Sequence, residues 1–81
     1  MINPAQVRAA RGLLDLSQAE LSGLASVSVA TIKKFERSTE DLRVTVQILL
    51  RIQRALESAG IQFIDQDKEG GLGVRLRDPP K

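Results

Sequence analysis

The sequence predicts a mainly α single domain of four short helices closed by a C-terminal β-hairpin. Three observations carry that expectation. Apolar residues recur at helical spacing in four separate stretches between Pro4 and Ala59, each preceded by an Asn, Ser or Thr able to cap a helix. The second and third stretches are joined by only about three residues, Ser26-Val27-Ser28. After Gly60 the pattern changes to strand-like alternation around a glycine-rich connection. With 81 residues the chain is about half a typical domain length, so every element serves one small core.

Asn3-Pro4 reads as an N-cap followed by proline at the first helical position, where its missing N–H costs nothing. Val7, Ala10 and Leu14 then mark a first helix over about 4–14, with Gly12 a mild weak point. Asp15-Leu16 connects to Ser17, and Glu20 completes a Ser-x-x-Glu capping box. The helix so opened, about 18–25, is expected to face the core with Leu21, Leu24 and Ala25. Ser28 caps a third helix over about 29–37 with Ile32 and Phe35 inward. So short a connection permits either an antiparallel hairpin or a near-perpendicular helix-turn-helix. Residues 38–44 form a polar loop with one or two apolar anchors. Thr45 opens the longest helix, about 46–59, in which Ile48, Leu49, Ile52, Ala55, Leu56 and Ala59 make one broad apolar face. Gly60 ends it as the residue beyond the C-cap. Val46 and Leu50 lie outside that face and are expected at the surface. Ile61 to Ile64 and Val74 to Arg77 give the strands of the hairpin, and Asp78-Pro79-Pro80-Lys81 a tail.

Composition excludes whole classes of chemistry. The chain has no Cys, His, Trp or Tyr, so a disulfide, a zinc site of ordinary ligands and a Cys/His or Ser/His nucleophile pair are all out of reach. Neither catalysis, nor a metal, nor a cofactor is expected. Twelve Lys and Arg against ten Asp and Glu leave a formal charge of +2. Residues 1–54 hold eight basic and five acidic residues (+3), and residues 55–81 four and five (−1), so the modest excess sits in the helical part. No apolar run is long enough to span a bilayer, and Arg8 and Arg11 interrupt any signal-like stretch near the start. A cytoplasmic address without a membrane partner is the expectation.

The stretch from Leu16 to Glu36 resembles the helix-turn-helix of the phage repressor and Cro family, also called the XRE family. The matching residues are Leu16, Ser17, Gln18, Glu20, Leu21, Ala25, Val27, Ser28, Ile32 and Glu36, with Arg11 preceding them, and the resemblance covers about residues 5–38. Two positions depart from the usual pattern: Ser22 stands where alanine is usual, and Ser26 where the turn usually has glycine. The resemblance implies a lambda-repressor-like domain over 1–60, with the helix-turn-helix at about 17–37. It also implies a DNA-binding transcriptional regulator whose third helix enters the major groove.

Carried over residue by residue, it places Val29, Ala30, Lys33 and Lys34 at base edges. Either lysine would donate to guanine or sit on phosphate, and Val29 and Ala30 would meet thymine methyls. Gln18, Ser28, Thr31, Arg37 and Arg43 become phosphate contacts. Taken alone, Lys33, Lys34 and Arg37 are simply a solvated helix face, and Ser17 and Ser28 are caps. The caps, the short turn, the inward Leu21, Val27 and Ile32 and the outward lysine pair favour double-stranded DNA jointly. Arg11 and Glu36, two surface charges of little worth in isolation, are placed together by the family as a structural ion pair.

The tail from Leu56 to Leu76 resembles the C-terminal part of many small bacterial regulators of the same superfamily, and there an added hairpin stands beside four helices. Gly70-Gly71-Leu72-Gly73 lacks the Lys-Ser/Thr of a Walker A motif and reads as a hairpin loop. Phe63, Ile64, Val74 and Leu76 either pack on the fourth helix or pair with another copy. With Leu50 they are the expected homodimer contacts, in a regulator bound as a dimer to a palindromic operator. An antitoxin holding its toxin through the hairpin, a restriction-modification controller, or a protein-binding antiactivator without DNA contact would share much of this pattern.

Overall fold

The structure, a computed structural model, describes residues 2–37 and 44–78. Four helices, α1 (Pro4–Leu14), α2 (Gln18–Ala25), α3 (Val29–Arg37) and α4 (Val46–Ser58), precede the strands β1 (Ile61–Ile64) and β2 (Gly73–Leu76). Each helix begins where a side chain can satisfy its open N–H groups. Asn3 accepts from the Gln6 N–H at 2.8 Å while the Gln6 side chain accepts from the Asn3 N–H at 2.9 Å, a reciprocal capping box. Ser17 and Glu20 repeat the arrangement at α2. The hydroxyls of Ser28 and Thr45 accept from the Thr31 and Ile48 N–H groups. α4 stops at Ser58, with Ala59 as its C-cap and Gly60 at φ 112°, a conformation that turns the chain directly into β1.

The core lies where the inward stripes of all these elements converge. Val7, Leu21, Ile32, Phe35, Ile52, Leu56 and Ile61 are its largest fully buried side chains, and Ile2 closes it at the N-terminal end. Two expected core positions are not there. Leu24 is 57% exposed, because α2 turns its Leu21, Ser22 and Ala25 side inward and leaves Leu24 at the edge of that side, in an open cleft against α4. Ala59 is exposed beyond the last turn of α4. Of the two α4 residues expected outside, Val46 is 56% exposed, whereas Leu50 is half-buried.

The strands pair with each other, antiparallel, with Ile61 opposite Leu76 and Phe63 opposite Val74. Strand alternation sends these four to the side facing the helices, where Phe63, Val74 and Leu76 pack partly buried against the core. Ile64 follows Phe63 directly and so belongs to the other face, with Gln62 and Arg75, which are hydrogen-bonded at 2.8 Å. Ile64 thus faces away from Phe63, Val74 and Leu76, the other hairpin residues expected to make contacts. In the connection, Asp67 Oδ1 accepts from the Glu69 and Gly70 N–H groups and folds the loop on itself.

β2 docks on α1 and β1 on α4. The joint is polar as well as apolar. Buried Gln6, already part of the first cap, donates from Nε2 to the Gly73 carbonyl at 3.0 Å and the Ile64 carbonyl at 3.4 Å. At the other end the Arg77 N–H donates to the Gly60 carbonyl at 2.7 Å, and its guanidinium to the Glu57 carbonyl. The hairpin is thus locked to both ends of the helical array. Among the described residues no helix is long and apolar enough to cross a membrane. Gln6→Ala removes a buried bridge between the first cap and the hairpin, and should lower unfolding stability by about 1–3 kcal/mol in a denaturant melt. A variant as stable as wild type would show that the bridge contributes nothing.

Candidate nucleic-acid interface

α3 is divided lengthwise by its own periodicity. Ile32, Phe35 and Glu36 are buried, and Ala30, Lys33, Lys34 and Arg37 form a continuous exposed stripe on the opposite side. Val29 and Thr31 are half-buried at its start, and Ser28 is exposed. The Ser28 hydroxyl donates to Thr31 Oγ1 at 2.8 Å, so both are tied into the N-terminal cap of α3, beside the open N–H groups that favour an anion. Arg43 lies outside the described residues.

The turn leading into α3 explains how the stripe is aimed. Ser26 takes a left-handed conformation (φ 56°, ψ 44°) and its N–H donates to the Ser22 carbonyl. The Val27 N–H donates to the same carbonyl at 3.2 Å. The Ser22 hydroxyl donates in return to the Val27 carbonyl, so this one residue grips the turn from both sides while Val27 is buried as its anchor. Ser22 and Ser26, the two departures from the usual pattern, are therefore physically linked. The hydroxyl that alanine would lack holds a turn that serine enters at some strain.

Behind the stripe sits a buried carboxylate. Glu36 is 4% exposed, and Arg11 meets it with a two-pronged contact, Nε to Oε2 and Nη2 to Oε1, both at 2.7 Å. Arg11 Nη1 donates to the Leu16 carbonyl at 3.0 Å, just ahead of α2. Gln18 Nε2, in the first turn of α2, donates to Glu36 Oε1 at 3.2 Å. The Arg8 guanidinium donates to the backbone carbonyl of Glu36. One carboxylate thus collects α1, the entry to α2 and the end of α3. The Glu36 hydrogen bond raises the Arg11 pKa further, burial opposes it and the attraction of the two charges adds to it, so Arg11 stays charged at any ordinary pH.

Gln18 and Ser28, nominated from the sequence for phosphate, both have structural bonds in this arrangement; Gln18 is half-buried with its amide on Glu36. Sequence reasoning assigns Gln6 and Arg8 no such bond, and it marks Ser22 only as a departure from the family pattern. A lone Arg or Gln on an amphipathic helix carries no signal of the carbonyl it will reach. Among the described residues no cluster of carboxylates is placed to hold a metal ion. Glu20 is held below the usual carboxylate range, first by the Ser17 backbone N–H and then by the Ser17 hydroxyl. Its contribution to the α2 cap is present above the ordinary carboxyl pKa and is lost as the pH falls through the lowered one.

A helix-turn-helix family model matches residues 7–60, two thirds of the chain, from within α1 to Gly60, just beyond the C-cap of α4. The chain belongs to the Cro/C1-type helix-turn-helix family. Comparison with curated proteins returns no match. The helix-turn-helix match spans all four helices, and the described architecture is that of a lambda-repressor-like domain with a small antiparallel hairpin added at its C-terminal end. The family is one of DNA-binding regulatory domains rather than of enzymes.

Arg11→Ala should cost about 3–5 kcal/mol in a thermal or urea melt, since it leaves the Glu36 carboxylate buried without its cation. Replacing both partners by apolar residues of similar volume should cost far less, because no buried charge remains. Equal losses for the single and double variants would contradict the buried-pair account. Ser26→Gly should stabilise by about 1 kcal/mol by relieving the left-handed turn, and Ser22→Ala should destabilise by about 1 kcal/mol by deleting the hydroxyl bond; unchanged midpoints for both would show the turn to be unstrained and ungripped.

Proposed function

We propose that this helix-turn-helix protein is a sequence-specific regulator of double-stranded DNA that inserts α3 into the major groove. The observation that carries the reading is the exposed stripe Ala30, Lys33, Lys34 and Arg37, backed along its whole length by a rigid buried face. A helix fits the major groove, and outward side chains of its first turns reach base edges while the preceding helix crosses the backbone. In this reading Lys33 and Lys34 donate to guanine O6 and N7 or to phosphate. Ala30 and the partly open Val29 meet thymine methyls. Arg37, Ser28, Thr31 and Arg43 contact phosphate, as does the N-terminal turn of α2 at Gln18.

The operator we infer is palindromic and is read by a homodimer, with recognition helices about 34 Å apart in successive major grooves. Packing of Phe63, Val74 and Leu76 against the chain's own core supports a dimer contact on the hairpin's outer face, around Ile64, in place of the full set nominated from the sequence. The intrachain docking of the hairpin favours this regulator over an antitoxin that keeps the hairpin free for its toxin.

The test is a fluorescence-anisotropy titration against DNA fragments selected from the source genome, repeated over a salt series. Lys33→Ala and Lys34→Ala should each weaken specific binding by about 1–3 kcal/mol, roughly 5- to 150-fold. Loss of a phosphate contact also lowers the slope of log K against log salt by about one, whereas loss of a base contact leaves the slope and relaxes sequence preference. Wild-type affinity for both variants would remove α3 from the interface. Sedimentation of the free protein and its complex reports the dimer, and a monomer on a single half-site would overturn that part.

A further inference from the structure

We propose that the cleft between α2 and α4 is a docking site for an acidic, amphipathic segment of a second protein. Leu24, Ala25, Arg51, Arg54, Ala55 and Ser58 line a cleft of about 330 Å³, at the lower limit of ligand-sized sites and open along one side. Its floor is apolar. Leu24 is among the most exposed large apolar side chains of the described residues, and it stands in the cleft rather than scattered on the surface. The rim is cationic. Arg51 and Arg54 are exposed, one helical turn apart on α4, and neither has a carboxylate partner among the described residues, where the ion pair is that of Arg11 with Glu36. Half-buried Leu50 and exposed Gln47 extend the same face along a second shallow cleft shared with both arginines.

Charge decides between occupants. A second copy pairing this face about a two-fold axis would set Arg51 and Arg54 against their own counterparts, and the lining holds no carboxylate to separate them. A DNA backbone would satisfy the arginines but offers nothing to Leu24, Ala25 and Ala55. The exposed basic stripe of α3 is separate, since α4 packs principally on α2 and β1. A segment presenting a leucine-sized side chain flanked by carboxylates satisfies both parts of the cleft, with the arginines giving forked, charge-assisted contacts. Such a site lets the protein hold a partner while α3 is on DNA.

The experiment titrates the isotopically labelled full chain, by amide NMR, with a synthetic helical peptide carrying leucine between glutamates. Two control peptides replace leucine by alanine, or the glutamates by lysine. The glutamate–leucine peptide should shift the amides of Leu24, Ala25, Arg51, Arg54, Ala55 and Ser58, saturably, and both controls should bind at least about tenfold more weakly. The double variant R51E/R54E, with an unchanged melt, should lose that peptide by more than about tenfold and prefer the lysine peptide instead. Equal binding of all three peptides, or shifts clustered elsewhere, overturns the proposal. So does loss of DNA affinity and salt slope in R51E/R54E, which would make the arginines DNA contacts, and so does conversion of a wild-type dimer to a monomer by that variant, which would make the face a self-interface. These readouts leave the α3 reading untouched, since that reading fails only on Lys33 and Lys34.

Discussion

The geometry of this domain depends on one buried carboxylate. Glu36 ends the inward face of α3 and draws Arg11 from α1, Gln18 from α2 and, through its backbone carbonyl, Arg8. Desolvating the Arg11–Glu36 pair offsets much of the attraction, so the net stabilisation is small compared with the penalty for breaking it. What the pair contributes is direction. A forked guanidinium contact tolerates little rotation, and three helix segments meeting at one carboxylate cannot slide independently. An apolar contact, being non-directional, would permit several nearby packings of α3. In the proposed reading, where the outward stripe of α3 aligns with base edges, the difference between one packing and several is functional.

The same logic operates at the two ends of the helix pair. At the turn, Ser22 holds the Val27 carbonyl and receives the Ser26 and Val27 N–H groups, which sets the angle at which α3 leaves α2. At the other side of the molecule, Gln6 joins the cap of α1 to the two facing ends of the hairpin. A core of this size leaves few apolar contacts for positioning a two-stranded hairpin, which is marginal by itself. Polar side chains with both donor and acceptor therefore do much of the joining. Among the described residues no buried side-chain polar atom is left without a partner.

Much of the architecture was legible because it is local. Capping residues and apolar spacing located all four helices, and only the end of α4 moved, from Ala59 to Ser58. The hairpin was legible in the switch of period after Gly60. The ion pair followed from the family resemblance, not from spacing, since Arg11 and Glu36 are 25 positions apart. The misreadings share a cause. Leu24 looks like a core residue by its spacing from Leu21, but which flank of a two-turn helix is covered depends on its neighbours. Leu50, expected at the surface, is half-buried for the same reason; for Phe63, Val74 and Leu76 the sequence left two placements open, and they pack partly buried on their own chain's core.

The sequence by itself determined the classes of chemistry open to this chain, the starts of its helices and the outward lysines of α3, because composition, caps and a 3.6-residue period are read one segment at a time. The tertiary structure alone decided that Gln6, Arg8 and Ser22 are joints, that Gln18 serves Glu36, and that Leu24 meets Arg51 and Arg54 in an open cleft. Those outcomes depend on which helix flanks approach each other and on where a long side chain finds a carbonyl or carboxylate. Both are set by packing between segments distant in sequence, about which a single stretch of residues carries no information.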